Sequence, residues 1–256
     1  TAHRDKDDLL RDPSLTDPAY RSKLREDLLK KARQVAPYST QEFSLGDENH
    51  FVLGRYDLSF GSTDDAAFIE WAKRVYNNDL AKLNAEYFTH YTSWDQVKPV
   101  PLEEAKKTGH YAPWVDHRLH MESEWANIHA FSRDVIREVV PSARVGYEGS
   151  DSKAGAFYAD DYWKLSRAMD LNSIYFRDFQ AAAVRDFAEP GTMFGAGWYG
   201  GYPDNRNSVF MRWFPWMALF NGANSYWVWN GYGSAGSVMS FDTSLYPFFA
   251  DNVKEM

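Results

Sequence analysis

The sequence predicts an α/β fold built on a parallel sheet, on two observations. Amphipathic helical stretches alternate with short apolar strand-like runs along most of the chain, and 256 residues with 44% hydrophobic content suffice to bury one substantial core. Strands separated by crossover helices are returned to the same direction, so they pair in parallel. One domain spanning residues 1–256 is the expectation.

The elements follow in order. Asp17-Pro-Ala-Tyr opens a helix to Val35, in which Leu24, Leu28, Leu29 and Ala32 recur among charges at helical period. Pro37 stops it. Glu42 to Gly46 reads as a short buried strand ending in the polar cluster Asp47-Glu48-Asn49-His50. Two helical patterns, Asp64 to Tyr76 and Asp79 to Phe88, precede an irregular segment through Trp94, Pro99, Pro101 and Pro113, so residues 77–114 form a long excursion between strands. A charged and aromatic helix from Val115 to Val140 leads to Pro141 and the strand Ala143 to Tyr147. The alternation then repeats: helix Asp160 to Met169, strand Ser173 to Phe176, helix Phe179 to Phe187, strand Met193 to Trp198, helix Val209 to Phe220, strand Ser225 to Trp229. A last helix can close the chain from Leu245. Five strands result, which fits an open doubly wound sheet or part of a closed barrel.

Composition excludes several functions. A net charge of -8 and a pI near 5.4 leave no clustered cations for phosphates, so nucleic acid is not an expected partner. Without cysteine there is neither a disulfide nor a thiolate metal site nor a thiol nucleophile. No apolar run approaches a membrane span, and Thr1-Ala2-His3-Arg4-Asp5 lacks the apolar core of a signal peptide, so a soluble chain without a membrane partner is expected, with an extracellular or periplasmic location left open. Gly195-Ala196-Gly197 is followed by Trp198-Tyr199-Gly200, too bulky for a phosphate-cradling turn, and no Gly-x-Ser-x-Gly elbow occurs. His117, His120 and His129 share a helix with Glu122 and Glu124 but show no His-Glu-x-x-His spacing, so no metal is expected, nor any other cofactor. The 10 Trp, 16 Tyr and 17 Phe, many beside Gly, Asn and Asp, suit either sugar-stacking surfaces or a large aromatic core.

Phe68-x-x-Trp71, Tyr76, Leu83-Asn84 and Tyr91-Thr92-Ser93-Trp94-Asp95-x-x-x-Pro99 occur in the order found after the acid/base strand of glycoside hydrolase family 42 β-galactosidases, which this chain resembles over roughly residues 40 to 230. Asp116-x-Arg118 is similar to the family's next Asp-x-x-Arg-Phe element, one residue shorter. The resemblance implies a TIM-type (β/α)8 barrel of which strands 4 to 8 are present here and about three N-terminal βα units are not. It implies a β-galactoside or related polysaccharide fragment as substrate, two-carboxylate hydrolysis without a cofactor, and room for a homo-oligomer or a complementing chain that supplies the remaining strands.

The family's fourth strand ends in Asn-Glu, its Glu being the general acid/base; Asp47-Glu48 stands at that place, and Glu48 inherits the role. Asp47 departs from the pattern, because an ionised Asp accepts hydrogen bonds only and raises the pKa of its neighbour. Read without the family, Asp47-Glu48-Asn49 is a capping turn. The family nucleophile is a Glu ending the seventh strand, yet Phe194 to Tyr202 contains no acid. Glu148, in Gly146-Tyr147-Glu148-Gly149-Ser150-Asp151, ends the strand next to that of Glu48 and is the expected second carboxylate, with Asp151 and Asp178 as further candidates. The alternatives are that Glu148 is an exposed loop acid, or that the nucleophile is lost and the chain binds glycans without cleaving them. Trp198, Tyr199, Trp227 and Trp229 end the last two strands, where barrel enzymes place their sites; they serve either as sugar platforms or as barrel filling. His90, Trp94, Asp178 and Asn230 complete the expected substrate contacts alongside Asp47.

Overall fold

The structure, a computed structural model, describes residues 3–4, 9–51, 57–150, 159–175, 178–199, 209–228, 247, 250, 251 and 254. The chain divides into two compact units, the first comprising residues 1–39, 50–141 and 153–165 and the second residues 40–49, 142–152 and 166–256.

The first unit is helical. A two-residue antiparallel pairing of β1 (His3–Arg4) with β2 (Arg11–Asp12) precedes α1 (Pro18–Val35). Asp17 caps α1 by accepting the Ala19 amide at 2.8 Å, and Pro18 enters the first turn, where its missing N–H costs nothing. Leu29 and Ala32 form the buried stripe of α1, which packs on α5 (Ala112–Arg137). Between them lie α2 (Ser62–Val75), α3 (Leu80–Tyr87) and α4 (Leu102–Thr108). Phe68, Trp71, Ala72, Leu83, Tyr87 and Val97 form one buried cluster, with Trp94, in the short 3-10 turn Trp94–Gln96, packed against it. Asp116 of α5 ties the cluster together, accepting from the Tyr76 hydroxyl at 2.7 Å and the Tyr87 hydroxyl at 2.8 Å on the same oxygen. Burial raises the Asp116 pKa while the two phenols pull it down.

Two boundaries in this unit differ from expectation. α4 lies inside the segment read as an irregular excursion; Pro101 precedes it, Glu103 and Glu104 occupy its first turn, Lys106 and Lys107 its last, and Gly109 closes it in the left-handed conformation at φ 74°. α5 starts at Ala112, three residues before the predicted Val115, because Pro113 sits in the first turn, where proline is compatible with a helix.

The second unit holds the sheet. Five strands, β3 (Glu42–Asp47), β4 (Arg144–Ser150), β5 (Leu171–Ile174), β6 (Met193–Tyr199) and β7 (Ser225–Val228), lie side by side in sequence order, all adjacent pairs parallel. Between these strands come α6 (Tyr162–Ala168), α7 (Asp178–Phe187) and α8 (Val209–Phe220), of which α7 packs on β5 and α8 on β6. All four residues of β5 are buried, as in a parallel sheet covered on both faces. β5 therefore has no alternation to mark it, and it runs two residues ahead of the predicted Ser173 to Phe176. β4 continues three residues past the predicted Tyr147, which carries Glu148 into the strand. The predicted closing helix falls largely outside the described residues, of which 247, 250, 251 and 254 are helical.

Candidate active site

Toward the C-terminal ends of β3 and β4 the backbones that carry the expected carboxylates are neighbours. Asp47 is in register with Glu148 across the β3/β4 pair, after a register shift between Ser44 and Asp47, and the backbone amide of Glu48 donates to the Glu148 carbonyl at 2.9 Å. The strand-end position is thus shared by two acids from neighbouring strands and a third, Glu48, one residue beyond. Glu48 is exposed and holds a left-handed backbone at φ 50°, a conformation that costs a side-chain-bearing residue about 1 to 2 kcal/mol. The turn before it is made by Gly46 at φ 146°, where an added Cβ would stand 2.5 Å from the Asn49 side-chain oxygen.

The electrostatics are those of a crowded acidic group. Glu148 is half-buried; burial raises its pKa, the Ser44 hydroxyl pulls it down and the charge of Asp47 raises it further. Asp47 is likewise raised, by desolvation and by the charge of Glu48, against the pull of the Glu48 backbone amide. Tyr175, the residue after β5, donates its hydroxyl to Oε1 of Glu48. Gly149, at φ 68°, lies under this contact: a Cβ there would be 2.5 Å from Asp47 Oδ1, 2.9 Å from the Tyr175 oxygen and 3.1 Å from Glu48 Cγ.

Sequence reasoning missed Tyr175 and Gly149 as site residues. With β5 placed two residues late, Tyr175 fell inside a strand, so nothing marked it as standing at the strand end. The other expected contacts distribute differently. His90 and Trp94 belong to the helical unit: His90 is exposed beside an open depression lined by Asn84, Ala85, Phe88 and Thr89, and Trp94 packs on the Phe68–Val97 cluster. Trp227 is half-buried in β7. Trp198 and Tyr199 end β6 and Asp178 opens α7, but their side chains lie outside the described residues, as do Trp229, Asn230 and Asp151 altogether.

Among the described residues no group of three or more His, Asp or Glu is placed to hold a metal ion. His117 and His120 are instead buried in aromatic surroundings, their rings edge-on to Phe68, with the pKa of each held down to about 3 by burial. No described helix is long and apolar enough to cross a membrane.

A parallel α/β sheet in sequence order, with acids gathered at the carboxyl ends of its strands, is the architecture of barrel-type glycosidases. Solved structures agree on the fold. The β-galactosidase from Bacillus circulans sp. alkalophilus superposes with a TM-score of 0.66 at 16% identity, over 94% of this chain and 39% of that one. The β-galactosidase from the psychrophilic Marinomonas ef1 gives 0.62 at 16% identity, over 94% and 42%. Gan42B, a GH42 β-galactosidase from G. stearothermophilus, gives 0.58 at 18% identity, over 94% and 40%. In sequence, the β-galactosidase Pbg of Clostridium perfringens is 26% identical over 115 residues, 43% of this chain and 16% of that protein. No family model matches. The chain therefore has the TIM-barrel-type fold of GH42 β-galactosidases with five of its strands described, and it spans about two fifths of the length of those structures.

Proposed function

We propose that this chain carries the two carboxylates of a glycoside hydrolase site that cleaves a β-linked galactoside or a related polysaccharide fragment. The observation that carries the reading is the backbone contact of Glu48 with Glu148, beside Asp47 in register with Glu148, toward the C-terminal ends of two adjacent parallel strands, in a fold shared with β-galactosidases. Glu48 is the general acid/base: it protonates the departing glycosidic oxygen and then takes a proton from water. Glu148 is the second carboxylate, opposing the positive charge that develops at the anomeric carbon. Asp47, in place of a neutral Asn, sets negative charge beside the pair and adds to the raised pKa of Glu148. Trp198, Tyr199, Trp227 and Trp229 are the proposed sugar platforms, with Asp178 and Asn230 as further proposed substrate contacts.

A second reading has its own observation: β6, the strand where the family nucleophile belongs, contains no acidic residue. On that reading the chain binds β-galactosides without cleaving them. Prolonged incubation of the wild-type chain with an aryl β-galactoside, beside calorimetric titration with galactobiose, separates the two. Released phenol supports hydrolysis; binding without products supports the lectin-like alternative, and neither binding nor products removes both.

A further inference from the structure

Glu48 has a feature that a free acid at a strand end lacks. It is exposed, and a glutamate there gives up much of its rotamer freedom when its side chain is fixed. A general acid must nevertheless present one oxygen to the leaving group at hydrogen-bonding distance. The fixing contact comes from two strands away: Tyr175 follows β5, Glu48 follows β3, and β4 lies between them. Two strand spacings amount to about 9 to 10 Å, which a tyrosine and a glutamate span together only by passing directly over the end of β4. The residue at that crossing is Gly149. Any other residue there would drive its Cβ to within 2.9 Å of the Tyr175 oxygen and 3.1 Å of Glu48 Cγ. Its φ of 68° is also a conformation that disfavours a side chain.

We infer that Tyr175 is a positioning residue for Glu48: its hydroxyl, reaching across Gly149, occupies Oε1 and leaves Oε2 to meet the glycosidic oxygen. This rests on the glycosidase reading above for its consequence, though not for its geometry. The phenol gives up no proton in the reaction; Glu48 Oε2 delivers the proton to the leaving oxygen, while the Tyr175 O–H remains on Oε1. The contact therefore matters for the bond cleavage that needs a proton and not for one that does not.

Tyr175→Phe removes the hydroxyl and keeps the ring, so it separates positioning from packing. With ethyl β-galactoside, whose alkoxide must be protonated, kcat/KM is expected to fall by about 10²-fold, the loss that a displacement of about 1 Å brings. With 2,4-dinitrophenyl β-galactoside, whose phenolate leaves unprotonated, kcat/KM is expected to stay within about two-fold of wild type. Equal losses on both substrates, or none on either, overturn the inference, since a merely structural role does not distinguish leaving groups. A readout independent of activity is the side-chain carboxyl carbon resonance of Glu48 at neutral pH, which is expected to move in Tyr175→Phe. An unmoved resonance overturns the contact whether or not the chain cleaves sugars. A moved resonance in a chain that hydrolyses nothing upholds the contact and overturns the glycosidase reading alone.

Discussion

Glu48 and Asp116 show two different uses of a carboxylate. Asp116 is buried and satisfied: two phenols from α2's end and α3 converge on one oxygen, which locks those segments to α5. Asp116→Ala strands the Tyr76 and Tyr87 hydroxyls, Tyr87 being buried, and is expected to cost about 2 to 4 kcal/mol, mostly desolvation without a partner. Urea unfolding checks it, with Tyr87→Phe as the milder variant. Glu48 instead holds a left-handed backbone that a β-carbon resists. Glu48→Asn, which tolerates that conformation, is expected to leave the chain as stable as wild type or more so by up to about 1 kcal/mol, while abolishing hydrolysis. A clear loss of stability in thermal unfolding would mean that Glu48 is there to hold the turn.

At the scale of elements, α5 sets the response to acid. His117, His120 and His129 on this helix are 0%, 1% and 3% exposed, and burial holds their pKa values down to about 3, 3 and 4 from the ordinary 6.5. Groups that are neutral in the fold and charge readily when unfolded contribute stability that is complete above pH 6.5 and drains away as pH falls towards the folded values. Each histidine removes at most about 2 kcal/mol between pH 7 and pH 5. Asp47, Asp65, Asp116, Glu124 and Glu148, whose pKa values are raised in the fold, act in the opposite sense from the ordinary carboxylate range upward. The expected outcome is a marked fall in unfolding free energy from pH 7 to pH 5 with net proton uptake; a flat profile would contradict the burial of these rings.

Elements also show what a sequence discloses. α1 announces itself by apolar period and by its Asp17 cap, and α2 by apolar period, because a surface helix must keep one stripe dry. α4 was hidden although its Glu-Glu, Lys-Lys and Gly signals are present, since three nearby prolines read as breakers. β5 was displaced because a strand buried on both faces has no period to fix its ends. That two-residue error concealed Tyr175, whereas Glu48 and Glu148 were legible because a strand end followed by polar residues or glycine marks itself. Their shared register, and the glycine under the tyrosine, are relations across strands that no single stretch of sequence contains.

At the scale of the whole molecule, the described sheet has two strands, β3 and β7, that pair on one side only. Likeness to β-galactosidases over 94% of this chain establishes the fold alone; the proposed chemistry rests on Glu48 and Glu148. The most direct measurement is the rate of ethyl β-galactoside cleavage by wild type, Glu48→Gln and Glu148→Gln at equal folded concentration. The account predicts turnover by wild type and losses of about 10² to 10⁴-fold or more in each variant. Wild-type turnover that survives Glu48→Gln undiminished would contradict it.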